Sequence, residues 1–169
     1  MRMMGVMTLA LGLSTATVSR ADDDKAECPM HDRHAADVKK HGEEGMGFSQ
    51  DKTQHHFRLL GDGGAIEVSV ADPADTETRE RVQHHLDAIA KAFAAGDFQL
   101  PMFIHSRTPP GVPVMRRLKG RITYSYEETP AGGRVRVVTK DKQALAAVHA
   151  FLRFQIADHR TGDSAAVEP

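Results

Sequence analysis

With 169 residues and 40% apolar positions, the chain is long enough for one globular domain plus a tail, and its formal charge of -1 leaves no electrostatic footprint for nucleic acid. One cysteine excludes an internal disulfide. Histidine is the outlier, at 10 residues beside no tryptophan.

The first residues have the layout of a secretory signal peptide over positions 1–21. Met1-Arg2 supplies a positive start, Met3 to Leu13 an apolar run too short to span a bilayer, and Ser19-Arg20-Ala21 a small-x-small cleavage site. The expectation is an exported protein, most simply periplasmic, with no stable membrane insertion after processing. Lys25-Ala26-Glu27 before Cys28 is not a lipoprotein box, so no lipid anchor is expected.

Residues 22–45 are charged and poor in large apolar side chains, which predicts a flexible leader. Within it, Cys28-Pro29-Met30-His31 places a thiolate, a thioether and an imidazole in four residues, a soft donor set suited to Cu(I), with Zn(II) as competitor. His34 and His41 stand close enough in sequence to complete a shell. The tetrapeptide resembles the Cys-Pro-Met-His core of the heavy-metal-binding modules of bacterial copper exporters and their periplasmic adaptors. That resemblance covers Cys28 to His31 alone and implies copper capture, with a metal exporter or another periplasmic protein as partner. Ala26 stands where those modules carry an aromatic residue.

The body is expected over residues 46–163. From His55 to Leu60 the chain alternates as a half-buried strand, with His55, Phe57 and Leu59 on one face and His56 and Arg58 on the other. Gly61-Asp62-Gly63-Gly64 turns it, and Ile66, Val68 and Val70 line the return strand. Asp75 can cap a helix from about Thr76 to Ala95, ending at Gly96, with a stripe of Val82, Leu86, Ile89 and Phe93 and with His85 at its flank. Residues 97–119 carry four prolines and read as a connector with binding-loop potential. A second hairpin follows, with Ile122, Tyr124 and Tyr126 on one arm and Val135 and Val137 on the other. Asp141 can then cap a last helix, Lys142 to His159, with a stripe of Leu145, Val148, Leu152 and Ile156 that includes His149 and His159. Residues 164–169 read as a disordered tail.

Two ββα units therefore predict an α+β fold: a four-stranded antiparallel sheet with both helices on one face, the second unit a divergent copy of the first. The layer between helices and sheet would receive His55, His85, His149 and His159. Neutral imidazole in a low-dielectric layer is a metal donor; it is also an ordinary hydrogen-bonded core residue.

The body is similar to an uncharacterised family of exported bacterial proteins through Met46-Gly47-Phe48-Ser49-Gln50, His55-His56-Phe57, Gly63-Gly64-Ala65-Ile66-Glu67-Val68, Pro109-Pro110-Gly111-Val112-Pro113 and Phe151-Leu152-Arg153-Phe154-Gln155-Ile156. This resemblance spans about residues 45–163 and implies a domain boundary without a mechanism. The chain has no nucleophile elbow, zinc-protease helix, phosphate loop or dinucleotide fingerprint, and it lacks the Ser-Thr-Arg-Thr motif of transcarbamoylases.

The leading expectation is a periplasmic copper-binding protein using Cys28, Met30, His31, His34, Met46, His55, His56, His85 and His149. One alternative is an enzyme whose site, under the connector, holds His55, His56, His85 and His105, with Arg107 and Arg116 for an anionic substrate. A second is a partner-binding module using a sheet face or edge, with a homodimer as one form.

Overall fold

The computed structural model describes residues 29–168, with side chains from residue 33 onward. The expected signal peptide and Cys28 lie outside the described residues. Among the described residues no helix is long and apolar enough to cross a membrane.

Helix α1 (Pro29–Met46) precedes the first unit, which comprises β1 (Thr53–Leu60), β2 (Gly63–Val70) and α2 (Thr76–Ala95). Two short helices, α3 (Gln99–Ile104) and α4 (Val112–Arg117), lead to the second unit, β3 (Ile122–Thr129), β4 (Gly132–Thr139) and α5 (Lys142–His159), and β5 (Val167–Glu168) closes the described chain. Local chemistry sets α2 and α5. Asp75 accepts the Thr78 amide at 3.0 Å, and Asp141 accepts those of Gln143 and Ala144 at 2.9 and 3.0 Å. Gly96 ends α2 in the left-handed region at φ 81°.

The α+β class stands, but the four-stranded antiparallel sheet with two helices is corrected. The sheet has five strands in the order β3-β4-β2-β1-β5, and β5 runs parallel to β1 through Leu59 and Leu60. Residues expected to form a disordered tail therefore supply a short edge strand. The described part of the expected leader, from residue 29 on, is helical, because contacts with other parts of the chain hold α1. Val38 is buried, the His41 ring lies 5.0 Å from Phe103, and Glu43 accepts hydrogen bonds from Ser49 Oγ and the Gln50 amide. The Pro-rich connector forms α3 and α4, whose prolines sit in the first turn where no amide is needed.

The two units are related by an internal two-fold. β1 pairs with β2 from Thr53↔Val70 to Leu60↔Gly63, and β3 with β4 in the same register from Ile122↔Thr139 to Thr129↔Gly132. The inner strands β2 and β4 then pair antiparallel from Gly63↔Val138 to Ser69↔Gly132. Each helix crosses to the other unit, with α2 mainly on β3 and β4 and α5 mainly on β1 and β2. Equivalent glycines permit this crossing: a Cβ on Gly64 would stand 2.2 Å from Leu152 of α5 and 2.5 Å from the Arg58 carbonyl, and one on Gly133 would stand 2.8 Å from the Tyr126 ring edge and 3.1 Å from Leu86 of α2. One core results, joining Phe57, Leu59, Ile66 and Val68 with Val82, Leu86, Val135, Val137, Val148, Phe151 and Leu152. The other sheet face carries ion pairs of Arg58 and Arg134 with Glu67.

Because one of the two close neighbours of Gly64 is backbone that cannot withdraw, whereas the two nearest to Gly133 are side chains, Gly64→Ala should cost about 2–3 kcal/mol in urea unfolding, and Gly133→Ala under about 1.5 kcal/mol. Equal losses at the two positions would contradict this packing.

Candidate functional site

One end of the core is not filled. Between β1, β2, α2, α3 and α5 lies a cavity of about 60 Å³, lined by His55, His85, His105, His159, Gln155 and Met46 among apolar side chains such as Phe57, Ile66, Phe93 and Ile104. Among the described residues no carboxylate, hydroxyl or thiol lines it.

Each donor arrives by a local rule. Strand alternation turns His55 inward with Phe57, and His85 precedes the buried Leu86 on α2. His105 is the C-cap residue of α3, 2% exposed, and Gln155 and His159 come from the last turns of α5. Met46 closes α1 and is partly buried against the core. Among the described residues, two non-glycine residues have positive φ, Ser106 at 51° and Arg160 at 52°, and each directly follows a cavity histidine. Such conformations are costly for L-residues, so both chain reversals are held by their surroundings.

Asp158 joins these segments. Its buried carboxylate accepts Nδ1–H of His105 at 2.6 Å, Nε2–H of His34 at 3.0 Å and an Arg107 N–H at 2.9 Å. Burial opposes its charge, but the hydrogen bonds from His34 and His105 outweigh burial and hold the carboxyl below its usual range. His105 is then an oriented ring whose Nε2 lies 3.0 Å from the Gln155 amide. In the neutral ring this nitrogen offers a lone pair, which the amide NH2 suits better than its oxygen. Either amide orientation leaves one heteroatom of Gln155, itself 4% exposed, without a partner among the described residues. His55 Nε2 also lacks one.

The imidazoles are neutral. Burial lowers His55 and His85 to about 4 and His159 to about 3, and neighbouring imidazoles add to the effect, notably His105 beside His159. His105 is lowered by burial too, against the pull of Asp158 and Gln155. The His159 ring lies 6.1 Å from His55, nearly parallel, and 5.0 Å from His105, edge-on.

The internal two-fold provides a comparison within the molecule. By strand register His55 corresponds to Tyr124, and counting from the caps Asp75 and Asp141, His159 corresponds to Phe93 and Gln155 to Ile89. Phe93 and Tyr124 pack edge-on at 5.8 Å in the second position. The same architectural position is thus filled by an aromatic pair in one half and by two imidazoles in the other.

Of the residues expected to form one site, the structure brings Met46, His55 and His85 to the cavity. His56 points away, giving Nδ1–H to Asp163 at 2.8 Å. His34 is engaged with Asp158 outside the cavity. His149 is corrected: its Nε2–H bonds the Leu60 and Gly63 carbonyls at 2.9 and 3.0 Å, clamping the first hairpin. Met30 and His31 fall in the first turn of α1, their side chains outside the described residues. His105 and His159 belong to the site, and their histidine identity was the available signal; Gln155 and Asp158 carried none. Arg107 serves Asp158 and lies 4.6 Å over the Phe154 ring. Among the described residues no three histidine, cysteine or carboxylate side chains are already gathered as a metal site. No protein-family model, curated protein or solved structure matches the chain.

Histidines whose folded pKa lies below the unfolded value near 6.5 add stability that is complete above that pH and is lost as pH falls towards the folded pKa, because the unfolded chain takes up protons first. Between pH 7 and 5 urea unfolding should therefore show a loss of about 1–2 kcal/mol for each such ring, and replacing His55 and His159 by Phe should flatten the dependence. A flat profile in the parent protein would mean that these rings are not buried neutral.

Proposed function

We propose that the protein is a metal-handling protein that holds a soft monovalent ion, Cu(I) foremost, among the imidazoles of this cavity. The observation that carries this reading is the replacement of an aromatic pair by His55 and His159 at equivalent positions of a two-fold fold. Phe93 and Tyr124 fill the equivalent position with aromatic rings, Tyr124 Oη being its one buried polar atom without a partner among the described residues, so packing alone does not call for two imidazoles.

Charge balance favours a monovalent ion. Desolvation cost grows with the square of the charge, and among the described residues no anionic side chain lines the cavity to offset a dication, which places Zn(II) second. Neutral nitrogen and thioether sulfur are donors that Cu(I) accepts. His55, with a bare Nε2, and His159 are the first candidates for ligands. His105 and Met46 stand at the same cavity, and Asp158 orients His105 as carboxylates orient metal-binding histidines. The soft-donor leader around Cys28 and its resemblance to copper modules support capture in an exported setting, with hand-over to a metal exporter or another periplasmic protein.

The enzyme reading rests on the same Asp158–His105 pair. The small apolar cavity, without a nucleophile in its lining, supports it less. The ion-paired open sheet face likewise gives little support to a partner-binding module.

Cu(I) competition against a chromophoric chelator, in protein carrying Cys28→Ser so that only the body reports, should give an affinity tighter than micromolar. His55→Phe with His159→Phe should weaken it by at least about 100-fold while the unfolding midpoint holds or rises. Micromolar or weaker binding in the parent, or no loss in the double variant, would reject the proposal.

A further inference from the structure

The cavity shares lining residues with three outer surfaces, two of which, a groove and a cleft with Glu77 and Glu80, meet at Met46 and His84 on the α2 side and form one approach. His55 and His159 also line an open cleft of about 420 Å³, together with His56, Gln54 and Thr161. Met46 and His85 also line an outer groove of about 300 Å³ beside His84. A buried ion therefore has two conceivable routes, and their chemistry differs.

The first route crosses a free strand edge. β5 pairs with β1 only at Leu59 and Leu60, so the edge near Thr53 to His56 is uncovered by pairing. There the rings of His55 and His56, sent to opposite faces by strand alternation, line one cleft. His56 is fixed. Its Nδ1–H is held by Asp163, whose other oxygen accepts the Phe57 amide at 2.9 Å and the Thr161 hydroxyl at 2.7 Å. Nε2 is the nitrogen left for a ligand, on a side chain 40% exposed. This carboxylate–histidine arrangement sits outside the cavity and has no part in holding an ion within it.

The second route is lined between its histidines mainly by Ala88, Ile89, Ala92, Phe93 and Leu100, which return nothing to an ion for the water it sheds, and its carboxylate, Asp97, is exposed and already accepts the Gln99 amide at 2.8 Å. His84, at its rim, is exposed on α2.

We infer that His56 is an entry ligand. On the metal-handling reading above, on which this rests, an incoming monovalent ion first binds His56 Nε2 in the cleft. Its bond to His56 then breaks as bonds to His55 and His159 form, with charge and oxidation state unchanged. Departure retraces the path. A residue with this role lowers one barrier in both directions, so it alters the two rates together and leaves the equilibrium where it was.

The test uses Ag(I), a redox-inert monovalent probe, with the full chain carrying Cys28→Ser, and follows uptake and chelator-driven release by stopped flow. His56→Leu and His56→Asn should each slow both processes by about tenfold or more, with affinity unchanged within about threefold. Asp163→Asn, which frees the ring, should slow both less, and His84→Leu should leave both unchanged. The inference is overturned if affinity falls in step with the uptake rate, which would make His56 a ligand of the held ion. It is equally overturned if the rates do not move, or if His84→Leu produces the slowing. No uptake of Ag(I) by the parent would instead reject the cavity as a metal site, and the entry role with it.

Discussion

A carboxylate with little access to water must be stabilised by the protein around it, and Asp158 draws its donors from two segments distant from its own. His34 comes from α1, His105 and Arg107 from the chain after α3, and Asp158 itself from the end of α5. The cost of burying the charge is offset only while all three segments are in place. α1 and α3 are thereby held across the unfilled end of the core. Without that carboxylate, His105 would lose its fixed tautomer and α1 one of its few long-range anchors. Polar bonds thus brace the rim of the cavity, and its lining remains uncharged among the described residues.

The internal two-fold makes the chemistry inside legible. Buried imidazole is a poor way to fill space beside a phenyl ring, since its unpaired nitrogens lose hydration, and the second half of the molecule fills the equivalent volume with Phe93 and Tyr124. Retaining His55, His159 and Gln155 keeps the cavity supplied with neutral donors that have little to bind within the protein. Their low pKa values follow from the same burial, so proton competition is weak near neutral pH. The route to them passes a cleft whose one oriented imidazole, on His56, faces solvent.

Much of this body can be read from the sequence wherever the determining forces are local. The bounds of α2 and α5, their aspartate caps, both hairpins and the inward turn of His55 follow from period and cap chemistry. α5 shows where that reading runs short: Val148, Leu152 and Ile156 of the expected stripe are buried, but the buried face also takes in Ala144, Ala147, Phe151 and Gln155 and leaves Leu145 half-buried, in part because small alanines at a close contact leave no hydrophobic signal. Helix α1 was illegible because its anchors lie across the chain, and Asp158 because its partners are fixed only by the fold. His149 could have been excluded beforehand. It sits ten residues from His159 on one helix, about 15 Å along the axis, too far to share a site.

The claim on which the rest depends is that the cavity rings are neutral, unprotonated donors available to a soft ion. Long-range proton–nitrogen NMR spectra of the histidine side chains, recorded at pH 5.5 with and without Ag(I), test it ring by ring. The neutral pattern should persist for His55, His85 and His159, and Ag(I) should shift a ring nitrogen of His55 and His159 before that of any exposed histidine. Protonated cavity rings at that pH, or Ag(I) shifts confined to exposed rings such as His84, would contradict it.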